Sequence, residues 1–123
     1  MIEYHERAEM NKILIADDDK SIRLLYEKEF SDEGYEVILC SNGREAIRKA
    51  KTEKPNLVIM DIRMPGMDGI EAMGEIIASN RKLPIVVNTA YGIYKDNFLT
   101  WPAEVYVIKS SDLTELKETV ATI

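Results

Sequence analysis

At 123 residues the chain has the commonest single-domain size, long enough for one hydrophobic core and too short for two. A hydrophobic share of 46% with 31% charged residues points to a soluble globular protein, and a net charge of -6 argues against nucleic acid as a direct partner. No stretch approaches the roughly 18 apolar residues of a membrane span, so the cytoplasm is the expected compartment.

Residues 1–11 precede the first apolar run and read as a leader, with His5, the only histidine, expected in solvent. Ile13 to Ala16 has strand length and stops abruptly on Asp17, Asp18 and Asp19. One aspartate would suffice to cap the helix that follows. Adjacent carboxylates repel and raise one another's pKa, so the cluster calls for a compensating cation or a structural reason. The helix carries Ile22, Leu25, Tyr26 and Phe30 at helical spacing and closes on Gly34.

A second strand, Tyr35 to Cys40, ends in the single cysteine, which reads as a buried core thiol. Asn42 with Glu45 opens a helix near Arg44 to Lys54 whose thin apolar stripe is Ala46, Ile47 and Ala50. Leu57 to Met60 is the third strand and runs into Asp61. Asp68 with Glu71 then starts a helix bearing Ile70, Met73, Ile76 and Ile77. Ile85 to Val87 is the fourth strand, leading to Thr89, and a short helix over Ile93 to Leu99 is stopped by Pro102. Val105 to Ile108 is the fifth strand, ending at Lys109, and Asp112 with Glu115 opens a last helix with Leu113, Leu116, Val120 and Ile123 inward.

Apolar runs alternating with helical segments specify an α/β fold around a parallel sheet. Such sheets bind ligands at the carboxyl ends of their strands, where this chain places Asp17 and Asp18, Asp61, Thr89 and Lys109. With the flavodoxin-like order 2-1-3-4-5 and five helices on both faces, the first and third strands are neighbours. Asp17, Asp18 and Asp61 then share one pocket.

The stretches "ILIADDD", "LVIMDIRMPGMDG", "LPIVVNTA" and "VYVIK", in this order, resemble the receiver domain of two-component response regulators of the single-domain, chemotaxis-regulator-like kind. The resemblance runs from about Lys12 to the C-terminus, which makes residues 12–123 the domain. It implies that Asp61 is phosphorylated by a sensor histidine kinase or phosphotransfer protein, in a Mg²⁺-dependent reaction. Asp17, Asp18, Asp61 and the backbone carbonyl of Arg63 are the implied metal ligands, which leaves the Arg63 side chain free to face solvent. Lys109 pairs with Asp61 and later with the phosphoryl oxygens, Thr89 donates to the phosphoryl group, and Tyr106 swings inward. The surface of the fourth helix, fifth strand and fifth helix then meets an output protein. The chain on this basis is a regulator that assists its own phosphorylation and dephosphorylation, not an enzyme, and phosphorylation-dependent dimerisation is compatible with it.

Two departures from the family pattern stand out. Ser110 follows Lys109 where the family has proline across a cis bond, so a trans bond is expected, because a cis bond to a non-proline residue costs about 2.5 to 4 kcal/mol. The segment between Ile93 and Glu104 is short, with "WPAEV" in place of a glycine-containing turn. A non-switching binding module of the same fold is the main alternative. A phosphatase of the haloacid-dehalogenase type, with Asp17 as nucleophile and Asp19 as acid/base, is weaker because it leaves Asp61 and its loop unexplained. Asp19 is expected to be a helix cap, and Pro65, Gly66 and Gly69 to shape the loop after Asp61.

Overall fold

The computed structural model describes residues 11–92 and 103–123. Five strands, β1 (Lys12–Ala16), β2 (Glu36–Cys40), β3 (Leu57–Met60), β4 (Ile85–Thr89) and β5 (Val105–Ile108), form one parallel sheet in the order β2-β1-β3-β4-β5. Among the described residues there are four helices: α1 (Lys20–Asp32), α2 (Gly43–Glu53), α3 (Gly69–Ser79) and α4 (Thr114–Thr122). The short helix expected over Ile93 to Leu99, its stop at Pro102, and His5 lie outside the described residues. None of the described helices is long and apolar enough to cross a membrane.

Side chains of a strand alternate between its faces, and the two cores divide accordingly. Leu14, Ala16, Val58, Met60 and Val87 point toward α2 and α3, where they meet Ala46, Met73 and Ile76. Ile13, Ile15, Leu57, Ile59, Val86 and Val107 point toward α1 and α4, where they meet Tyr26, Phe30, Leu116 and Val120. Burial on both faces explains why β1, β3 and β4 read as continuous apolar runs. The edge strand β2 is only half-buried over most of its length.

Helix starts follow the expected chemistry at three of four places. Asp19 accepts from the backbone N–H of Ser21 and Ile22, Asn42 from Glu45, and Asp68 from Glu71. The Glu45 side chain reaches back to the Ser41 N–H at 2.7 Å, one residue before the cap, in a variant of the reciprocal arrangement. Gly34 follows the C-cap of α1 with φ of 95°, a conformation that favours glycine.

Three local expectations need correction. Asp112 does not cap the last helix: its carboxylate binds the N–H and hydroxyl of Thr114 in a tight turn, and α4 starts at Thr114 without a side-chain cap. Leu25 is not buried. Ile22, Tyr26 and Phe30, spaced by four, take the inward line of α1, and Leu25 stands one position off it at 42% exposure. At the chain end Ile123 is likewise half exposed.

The turn from β3 into α3 is closed tightly by Gly69, whose N–H donates to the Ile62 carbonyl at 2.7 Å. A Cβ at Gly69 would lie 1.9 Å from the Asp61 carbonyl oxygen, an impossible approach. Gly69→Ala is therefore expected to lower folding stability by about 1–3 kcal/mol, the usual cost of forced overpacking, read as a drop in the urea midpoint. Cys40 is buried, and burial pushes its thiol up to about 12. A maleimide at pH 8 should leave the native thiol unmodified and label it fully in urea; rapid native labelling would contradict this placement.

Candidate phosphoacceptor and metal site

The sheet register assembles the site. Ile13 pairs with Leu57 and Ala16 with Met60, an offset of 44 that brings Asp17 beside Asp61 one step beyond the strand ends. Backbone bonds carry that register outward: the Asp61 N–H donates to the Ala16 carbonyl, the Asp17 N–H to the Cys40 carbonyl, and the Lys109 N–H to the Thr89 carbonyl. The ends of all five strands are thus held side by side by main-chain bonds, before any side chain is considered.

At the centre stands the Lys109 ammonium, 2.7 Å from Asp17 Oδ2 and 3.2 Å from Asp61 Oδ2. Each carboxylate has its other oxygen on the backbone. Asp17 Oδ1 accepts from the Asp19 N–H at 2.9 Å, and Asp61 Oδ1 from the Ile62 N–H at 2.8 Å. Both aspartates are buried, while Asp18 is exposed. Lys109 therefore holds Asp17 even more closely than its expected partner Asp61.

Burial pushes the Asp61 carboxyl above the usual carboxylate value, and the Asp17 charge adds to that push, although Lys109 opposes both. For Lys109, burial works to lower the pKa, yet Asp17 and Asp61 together hold it above its ordinary value. The ammonium is thus fully charged at neutral pH.

One oxygen from each of Asp17, Asp18 and Asp61 lies within 4.8 Å of the others. Three hard carboxylate oxygens, one of them on an exposed residue, suit Mg²⁺, which takes one or two carboxylates and keeps several waters. Asp18 borders an open groove of about 530 Å³ shared with Ser41, Asn42, Arg44 and the Pro65–Met67 turn.

The remaining expected residues fall nearby. Thr89 is fully buried at the end of β4, and its hydroxyl oxygen accepts from the Tyr91 N–H at 3.3 Å. Tyr106 is buried, and its hydroxyl donates to the Tyr91 carbonyl. Arg63 is exposed, but its side chain does more than face solvent: the guanidinium lies 4.2 Å over the Tyr91 ring. There is no cis peptide bond among the described residues, so Lys109–Ser110 is trans as expected, and the Ser110 hydroxyl oxygen accepts from the Asp112 N–H.

Three residues escaped sequence reasoning. Arg23 donates to the Asp17 carbonyl at 2.8 Å, and the Tyr26 hydroxyl meets the Asn88 side chain deep in the core. The available signal was Asn88 itself, a polar residue within the apolar run of β4 and one of four buried polar residues of the described chain.

A family model described as "Response regulator receiver domain" matches residues 13–121. Among similar proteins, the regulatory protein AtoC of Escherichia coli is 38% identical over 109 residues, 87% of this chain and 24% of AtoC. The sporulation initiation phosphotransferase F of Bacillus subtilis is 40% identical over 81 residues, 66% of this chain and 65% of that protein. The chain thus spans less than two thirds of the length of these curated relatives. Response regulator protein TrrA from Thermotoga maritima, solved with Mg²⁺–BeF, superposes with a TM-score of 0.87 at 42% identity, covering 92% of this chain and 98% of TrrA. The same protein in complex with histidine kinase ThkA gives 0.84, covering 92% and 97%. With the expected sheet order, the acid cluster and lysine at its strand ends, and a family match over nearly its whole length, this chain belongs to the response regulator receiver domain family.

Proposed function

We propose that the chain is a phosphorylation-activated signalling switch in which Asp61 accepts a phosphoryl group from a partner's phosphohistidine. The observation that carries this is the Lys109 ammonium shared between Asp17 and Asp61 at the end of neighbouring strands, with Asp18 completing the acid cluster. Asp61 Oδ2, the oxygen that faces Lys109, forms the new P–O bond as the P–N bond to the donor imidazole breaks, and the imidazole leaves with its electron pair. Ile62 N–H keeps one Asp61 oxygen fixed, which orients the other toward the incoming phosphorus.

Asp17, Asp18, Asp61 and the backbone carbonyl of Arg63 would hold Mg²⁺, and the ion when bound neutralises charge on the transferring group. Lys109 turns from its two carboxylates toward the new phosphoryl oxygens, as a flexible point charge can. Thr89 donates its hydroxyl to the same group once it arrives. Tyr106 already lies inward, and its bond to the Tyr91 carbonyl ties it to the segment that follows Thr89. A charge event at Asp61 so reaches the β5 and α4 surface that meets an output protein.

The likeness to TrrA supports these roles, since that protein has been solved both with Mg²⁺–BeF and with histidine kinase ThkA. Residues 12–123 act as the receiver, working in the cytoplasm. The chain modifies itself, assisting the gain and loss of its own phosphoryl group, and dimerisation on phosphorylation fits the same scheme.

Incubation with Mg²⁺ and acetyl phosphate, followed by peptide mapping, should place one phosphoryl group on Asp61 and none in Asp61→Asn or after EDTA. Label on Asp17 would falsify the assignment. A second expectation concerns stability. Because the folded pKa of Asp61 is raised, its contribution is full below the ordinary 3.8 and is lost as pH rises through the raised value. At pH 7 without divalent cations, Asp61→Asn should therefore match or exceed the wild-type urea midpoint. Mg²⁺ at one hundred times its Kd should stabilise the wild type by about 2.7 kcal/mol, and the same concentration should have much less effect on Asp61→Asn.

A further inference from the structure

Beneath the acid cluster, on the opposite face of β4 from Thr89, lies a buried polar bridge. The Tyr26 hydroxyl donates to Asn88 Oδ1 at 2.5 Å, and Asn88 Nδ2 donates to the Val107 carbonyl at 3.0 Å. Tyr26 is 2% exposed and Asn88 3%, surrounded otherwise by Ile15, Val86, Val107 and Leu116. Buried polar groups in an apolar layer persist only when satisfied, and here every group of the bridge has its partner. Packing alone would be served equally well by two apolar side chains, so the bridge calls for a reason beyond stability.

Its anchor points supply one. Asn88 immediately precedes Thr89, and Val107 stands two residues before Lys109. Tyr26 belongs to α1, whose cap residue Asp19 donates its N–H to Asp17. The chain of contacts closes on itself: Asp17, Asp19, α1, Tyr26, Asn88, Val107, Lys109 and back to Asp17. Among the described residues β5 is an edge strand, paired with β4 alone. The bonds to its outer end include the Asn88 clamp on Val107 and the Lys109 N–H to the Thr89 carbonyl.

We propose that Tyr26 and Asn88 are positioning residues for phosphoryl transfer, fixing the end of β5 against α1 so that Lys109 and Thr89 meet the phosphoryl group in register. Neither residue touches the reacting atoms. The inference rests on Asp61 phosphorylation as proposed above. The bridge acts on the lysine side of the site, while Asp17 and Asp61 each keep one oxygen on a backbone N–H outside β5.

The test compares the wild type with Tyr26→Phe and with Tyr26→Phe/Asn88→Val, in which both polar partners become apolar. Urea midpoint, Mg²⁺ affinity by calorimetry, and the rate constant of phosphorylation by acetyl phosphate are measured for each. Tyr26→Phe should lose stability, because Asn88 Oδ1 is left unpaired, and should phosphorylate on the order of tenfold more slowly. The double variant should recover the urea midpoint but not the rate, with Mg²⁺ affinity within about twofold of wild type throughout. A rate that returns with stability, or that never changes, overturns the proposal, as does a parallel loss of Mg²⁺ affinity. If Tyr26→Phe fails to fold, the double variant carries the comparison alone. Failure of the wild type itself to be phosphorylated would instead refute the function assigned to Asp61.

Discussion

The structure turns on one ammonium shared by two buried carboxylates. Lys109 lies between Asp17 and Asp61, and without it the ends of β1 and β3 would carry like charges at close range in a partly dry environment. One oxygen of each carboxylate lies within 4.8 Å of the other, where at an effective dielectric near 20 the repulsion is on the order of 3–4 kcal/mol. The lysine also closes the sheet electrostatically, because it arrives from the edge strand β5 across β4 to reach the two central strands. Three carboxylates against one ammonium still leave a formal charge of -2, with the exposed Asp18 on the open side. That residual charge matches a divalent cation. Lys109 and Mg²⁺ are thus complementary: one holds the cluster together from within the protein, the other completes it from solvent.

This arrangement explains why the local backbone is so constrained around Asp61. The carboxylate is fixed through its own next residue, Ile62, and the chain then turns hard enough that only glycine fits at position 69. Met64 and Met67 from the same turn are buried against the α2–α3 core, which seats the loop by apolar contact. Arg63, between Ile62 and Met64 in sequence, faces outward over Tyr91 and so links the loop after β3 to the loop after β4. The two loops that flank Asp61 and Thr89 are therefore in contact across the mouth of the site.

Much of this was legible in the sequence, for identifiable reasons. Strands buried on both faces leave unbroken apolar runs, and a charged residue that ends such a run must lie at the sheet's rim, which located Asp17, Asp61 and Lys109. Caps such as Asp19, Asn42 and Asp68 are local and so readable. The missed features are pairings between distant residues of unremarkable type. Tyr26 and Asn88 are 62 positions apart, and nothing in either neighbourhood announces the other. Asp112 was misread because an aspartate two residues before a threonine satisfies a tight turn as readily as a helix start. Leu25 shows the limit of periodicity, since at a helix flank one position decides between core and solvent.

The shared-ammonium account is tested most directly by following the Asp61 side-chain carboxyl carbon by NMR as pH is varied, with and without saturating Mg²⁺. The titration midpoint should lie above the usual aspartate range in the metal-free protein, because burial and Asp17 outweigh Lys109, and should fall well below it when Mg²⁺ is bound. An ordinary midpoint that Mg²⁺ leaves unmoved would contradict the account.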